Sequence, residues 1–194
     1  MKNRPNIYHR YLKLPFELEA PALFEEHGNI VRHQVLDKLR HPEVDTFLRQ
    51  FGLVCVRKEA IYTPPFGKLP IHIDHHAYTE KVKINLSWGP EEGVVRWWES
   101  DIVEAHVIDG GTAHTRAYHH NLWAKEENAT LIYEAHTNRP SLINVGLLHS
   151  TYNPTPHGRW TLCITPWLVQ RRTMLGWEDA MRLLSDFIVH EQGP

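Results

Sequence analysis

Only two cysteines, Cys55 and Cys163, occur among 194 residues. That is too few for a disulfide framework, and both lie in apolar, strand-like runs, so buried free thiols are expected. No apolar stretch nears the roughly 20 residues that a membrane-crossing helix needs, and residues 1–11 contain no apolar signal core. A soluble, cytoplasmic protein without a membrane partner is therefore expected. Charge of one sign is also lacking: 21 Lys+Arg against 23 Asp+Glu leave −2, which disfavours nucleic acid as the main partner. There is no Gly-rich phosphate loop, no Gly-x-Ser-x-Gly elbow and no Cys-x-x-Cys pair. Kinase, serine-hydrolase and zinc-ribbon chemistry have no footing here.

What is present suits a globular protein, with 42% hydrophobic and 23% charged residues. One domain is expected over residues 1–194: a helical and strand support over 1–58, a jelly-roll core over 59–169 and a C-terminal helix over 170–194. Val44, Phe47, Leu48 and Phe51 form an i, i+3, i+4, i+7 stripe opened by Pro42 and closed by Gly52, which predicts a helix packed on a sheet. Trp177, Ala180, Met181, Leu184, Phe187 and Ile188 make a second stripe, predicting a docked helix near the C-terminus. Between them the text reads as strands over 53–62, 71–74, 82–88, 94–99, 103–108, 130–135, 142–149 and 160–169, separated by Pro-, Gly- and Asn-rich turns. The expected fold class is mainly β, a jelly roll with flanking N-terminal and C-terminal helices. Residues 109–127 read as a polar insertion, either a lid or a solvated loop.

The chemistry concentrates in His72-Ile73-Asp74. Side chains two apart on a strand share a face, so His72 and Asp74 can approach one ion while Ile73 turns away. A third ligand must come from a distant strand, and His149 ends the apolar run 142–149. Two imidazoles and one carboxylate leave one face of an iron(II) ion open. Arg159 follows ten residues after His149, within reach across a hairpin, and offers a guanidinium to an acidic co-substrate. Thr161 shares the face of Arg159. Lys83 and Asn85 share a face as well; an exposed or lightly hydrogen-bonded strand face is the expectation for Lys83. His76 is the fallback for His72. A hydrogen-bonded His72–Asp74 pair with an unrelated strand-end His149 is the plainer alternative, since the chain has 15 histidines.

Together these residues resemble the iron(II)- and 2-oxoglutarate-dependent dioxygenases, in particular the prolyl and aspartyl hydroxylase-like branch, over roughly residues 62–167. The resemblance implies a double-stranded β-helix, cupin-like in class, with His72, Asp74 and His149 holding Fe(II). It implies 2-oxoglutarate as co-substrate, its far carboxylate on Arg159 and Thr161, with Tyr62, Lys83 and Asn85 as weaker candidates for its other end. O2 and a small-molecule or peptide substrate would be the other partners, with succinate and CO2 released. His149-Ser150-Thr151-Tyr152-Asn153 also fits the second half of the cupin signature, whereas the first half is missing. A cupin-like metalloenzyme that does not use 2-oxoglutarate, and a non-catalytic jelly-roll binding module, are the alternatives.

Overall fold

The computed structural model describes residues 6–20, 32–35, 41–74, 81–109 and 118–189; for 32–35, 105–109 and 118–121 only the backbone is described. Two antiparallel sheets face each other. The larger contains β1 (His9–Tyr11), β2 (Arg32–Val35), β3 (Leu53–Thr63), β5 (Val82–Trp88), β10 (Ser141–Asn144), β12 (Arg159–Leu168) and β13 (Thr173–Met174). Its order is β1-β10-β5-β12-β3-β2, with β13 on β12. The smaller contains β4 (Ile71–Ile73), β6 (Val94–Glu99), β7 (Glu104–Asp109), β8 (Tyr118–Ala124), β9 (Thr130–His136) and β11 (His149–Tyr152), in the order β7-β8-β4-β11-β6-β9. From β3 to β6, and again from β9 to β12, each strand lies in the sheet opposite its predecessor. That alternation is the winding of a double-stranded β-helix.

Period-two patterning divides the larger sheet into two unlike faces. Val82, Ile84 and Leu86 of β5 and Leu162 and Ile164 of β12 point outward and are buried. They meet α1 (Pro42–Arg49) through Val44, Phe47 and Leu48, and α2 (Trp177–Leu183) through Trp177 and Ala180. The alternate residues point into the space between the sheets and are mostly polar: Glu59, Lys83, Asn85, Arg159 and Thr165 are all buried there. The main hydrophobic core thus lies outside the barrel, against the helices; inside, the polar groups share the space with a smaller apolar cluster that includes Val95, Trp97 and Ile143.

The expected helix at Pro42 and most strands stand where periodicity put them, with three corrections. The run 142–149 is not one strand. Asn144 accepts from the Gly146 N–H at 3.2 Å through Oδ1, and Lys81 O accepts from Val145 and Gly146, so the chain turns and crosses into the other sheet before His149. The insertion 109–127 is not all loop, because 118–124 form β8 beside β4. The C-terminal helix is short, ending at Leu183 before a 3-10 turn at Ser185–Phe187. Both thiols are free; Cys163 is buried and Cys55 only partly so. Among the described residues no helix is long and apolar enough to cross a membrane.

His9 lies buried on β1, with Nε2 3.2 Å from Ser141 Oγ. Burial, helped by Arg10, lowers its pKa from the ordinary 6.5 to about 4. The unfolded chain therefore takes up the proton first. Its contribution to stability is complete above pH 6.5 and is lost as pH falls towards 4, a loss on the order of 3 kcal/mol. Urea unfolding of metal-free protein across that window is expected to show the decline, and His9→Gln to flatten it. Equal slopes for the two proteins would refute this.

Candidate metal centre

His72 on β4 and His149 on β11 are directly opposed in the antiparallel register. Their ring centroids are 4.5 Å apart. Asp74 follows β4 at once, its N–H donating to Val145 O at 3.2 Å, and its Oδ1 lies 3.2 Å from His72 Nε2. One potential ligand atom from each of the three residues lies within 4.8 Å of the others. Ligand bonds of about 2.1 Å put cis donors about 3 Å apart. The His72–Asp74 pair already has that spacing.

The protons are equally informative. His72 Nδ1 is 2.8 Å from Pro70 O, and His149 Nδ1 is 2.9 Å from Leu147 O. A carbonyl can only accept, so each Nδ1–H donates, and each Nε2 is left to carry either a second proton or, on a metal, the ligating lone pair. Burial, with His72 beside it, lowers the His149 pKa to about 3, which keeps that ring neutral. Such backbone tethers are what orient ligating histidines. Two imidazole Nε2 atoms and a carboxylate therefore meet at one place, a donor set that suits a divalent cation and leaves one side open.

Asp74 stays ionised there. Burial would raise its pKa, but Lys83 and then His72 outweigh this and hold it well below the carboxylate range. Lys83 Nζ lies 2.7 Å from Asp74 Oδ2 and 2.7 Å from Glu59 Oε2, and Arg57 Nε is 2.9 Å from Glu59 Oε1. Burial would lower the Lys83 pKa, yet Asp74 and Glu59 together raise it. Lys83 is 9% exposed, so the expected exposed strand face is corrected: it is a buried bridge between two carboxylates. Strand period had left its direction open; the pairing of β5 between β10 and β12 decides it.

A small cavity of about 30 Å³ opens between the sheets, lined in part by Thr63, Asn85, Thr151, Arg159, Thr161 and Cys163. Arg159 is buried at the start of β12; one Nη2 donates to Thr137 O and, at 2.8 Å, to Thr137 Oγ1. It makes no ion pair among the described residues. Arg159 Nε, Asn85 Oδ1 and Thr151 Oγ1 are buried without a hydrogen-bond partner. Burial lowers the Arg159 pKa to about 10 and raises that of the Cys163 thiol to about 12, so the guanidinium is charged and the thiol protonated at neutral pH. Thr161 Oγ1 is 3.1 Å from Ser87 Oγ on the same face.

Tyr62 is a correction. It pairs with Trp160 and turns outward, its ring 5.1 Å from that indole, so it faces away from this cavity. Arg159 does not reach back across a hairpin either, because β11 and β12 belong to opposite sheets. His75 and His76 lie outside the described residues. Sequence reasoning missed Thr137, Gly93 and Glu59. Gly93 had a signal in the run Glu91-Glu92-Gly93, but nothing in it pointed to Arg159. Of Trp97 and Trp98, the first pairs with His149 and faces inward, fully buried, with Nε1 donating to Asn144 O at 2.9 Å.

No protein-family model and no curated protein matches the chain. Among solved structures it is similar to oxalate oxidase in complex with the substrate analogue glycolate, at 15% identity and a TM-score of 0.40, over 81% of this chain and 62% of that one. A non-heme monooxygenase in a nickel complex aligns at 15% identity and a TM-score of 0.35, over 65% of this chain and 50% of that one. Peruvianin-I, a cysteine peptidase from Thevetia peruviana latex, aligns at 12% identity and a TM-score of 0.35, over 80% and 87%. The chain thus spans less than two thirds of the oxalate oxidase.

Removing Lys83 leaves two carboxylates desolvated. Lys83→Met is expected to cost about 3–5 kcal/mol at neutral pH in urea unfolding, as breaking a buried pair does. A divalent cation should restore part of the loss by compensating Asp74. A variant as stable as wild type would refute the bridge.

Proposed function

We propose that the protein is an iron(II)- and 2-oxoglutarate-dependent oxygenase that hydroxylates a small metabolite or a peptide side chain, releasing succinate and CO2. The observation that carries this reading is the meeting of two Nε2 atoms with an ionised Asp74 in a barrel whose interior also holds a buried Arg159 that forms no ion pair among the described residues. The charge of Glu92 reaches Arg159 without pairing with it, and a carboxylate seated on the guanidinium would offset the cost of its burial more fully.

His72, Asp74 and His149 would hold the metal. When bound, iron supplies oxygen chemistry and the 2-oxo acid supplies the electrons released on its decarboxylation. Arg159 and Thr161 would take the far carboxylate, with Asn85 beside them; Tyr62 is withdrawn from that role. Lys83 engages Asp74 Oδ2, so Oδ1, beside His72, is the oxygen that would be left to hold a metal. Trp97 and Trp123 continue the row of His149 and His72 across the smaller sheet and limit water beside the imidazoles.

The cavity volume favours a second reading. About 30 Å³ is room for a single water, so admitting a five-carbon diacid requires the lining side chains to open. A cupin-like metalloenzyme that acts on its substrate directly makes no use of the space beside Arg159, so that space need not open for it.

Anaerobic titration with iron(II) and 2-oxoglutarate separates the two. The visible charge-transfer band of the chelate is expected in wild type; folded, iron-loaded protein that shows none supports the direct metalloenzyme. Gly93→Ala gives a finer check. A Cβ there would lie 1.5 Å from Arg159 Nη1, so the guanidinium must leave its place on Thr137. Half-saturation by 2-oxoglutarate is expected to rise at least about tenfold, the worth of one charged hydrogen bond, while metal affinity without it stays unchanged.

A further inference from the structure

One buried cation in the barrel remains unassigned. Lys81 immediately precedes β5 and shares the inward face of Lys83 and Asn85. It is 5% exposed and makes no hydrogen bond or ion pair through its side chain among the described residues. Its backbone oxygen accepts from Val145 N at 3.1 Å, and Val145 O accepts from Asp74 N at 3.2 Å, so Lys81 is tied to the metal centre through one residue. The acids whose charge reaches it, Asp74 and Glu59, are already engaged by Lys83, with His72 on the one and Arg57 on the other.

Position sets Lys81 apart from Arg159. Cys163 pairs with Asn85 and Thr161 with Ser87, so Arg159 lies towards the Trp88 end of β5 and Lys81 beyond the Val82 end. Lys81 and Asn85 are four positions apart along the extended chain, as are Arg159 and Cys163, each a span of roughly 13 Å. Asp74 and Lys83 fall between. Two cations at opposite ends of one polar interior, with a metal centre between them, make two anion positions that do not compete.

We propose that Lys81 is the anchor for the substrate to be oxidised, and that this substrate is a small acid carrying a carboxylate or phosphate group. Its oxyanion would pair with the Lys81 ammonium while the rest of the molecule reaches the open side of the metal. The assignment rests on the oxygenase reading for the word substrate, but the anion position itself does not.

Methylphosphonate is the probe, titrated calorimetrically into manganese-loaded protein in which Arg159→Met silences the other cation. Saturable binding is expected, weakened at least about tenfold by adding Lys81→Met and largely kept with Lys81→Arg. Where Arg159→Met does not fold, the same Lys81 variants are titrated in otherwise unaltered protein saturated with 2-oxoglutarate; Lys81→Gln replaces Lys81→Met if that variant fails to fold. No saturable binding, or binding indifferent to Lys81→Met, overturns the proposal. Lys81-dependent binding in a protein that gives no iron–2-oxoglutarate band would sink the oxygenase reading and leave the anion position standing.

Discussion

The Lys83 ammonium, held between Asp74 and Glu59, is the interaction on which the barrel interior depends. Two carboxylates removed from water repel each other and would each prefer a proton. With Lys83 between them Asp74 remains charged, available as an anionic donor without first losing a proton. Such a network adds little net stability, because desolvating three charges roughly cancels their attraction. The stabilising burial therefore has to lie elsewhere. It lies on the other face of the same strands, where Val82, Ile84, Leu162 and Ile164 pack against α1 and α2. One sheet does both tasks because its two faces are independent: apolar side chains outside secure the fold, and polar ones inside are free for chemistry.

Sequence made the local half of this legible. Period two places His72 and Asp74 together, and it places Thr161 with Arg159, since both statements concern neighbours on one strand. It could not decide which face of a strand looks inward where both are buried. Tyr62 and Lys83 fell on either side of that ambiguity: Tyr62 turns out to face Trp160, and Lys83 turns out to face Asp74. Pairing settles such parity, and pairing is non-local. The strand at Tyr118–Ala124 was missed for a related reason, its text Tyr-His-His-Asn being polar where hydrophobic alternation is the usual signal. The run ending in His149 failed differently. It is apolar throughout, and the turn within it is made by Asn144 Oδ1 and the Lys81 carbonyl, partners that apolarity does not reveal.

The turn after β11 shows how the winding fixes the chemistry. Asn153 is fully buried, and its Nδ2 donates to Pro64 O at 3.0 Å and to His157 O at 2.6 Å. Its place in a cupin-like His-x-x-x-Asn pattern is thereby given a structural meaning, for it clamps the crossing from the smaller sheet to the larger. Where that clamp releases the chain, β12 begins, and Arg159 is its first residue. Thr137 then holds the guanidinium from the side, and Gly93 leaves the space it occupies. The cation is thus located by three constraints from three separate segments. Its distance from the imidazoles follows from strand rise and sheet spacing, which vary little, so the span between Arg159 and the two histidines is a property of the fold itself.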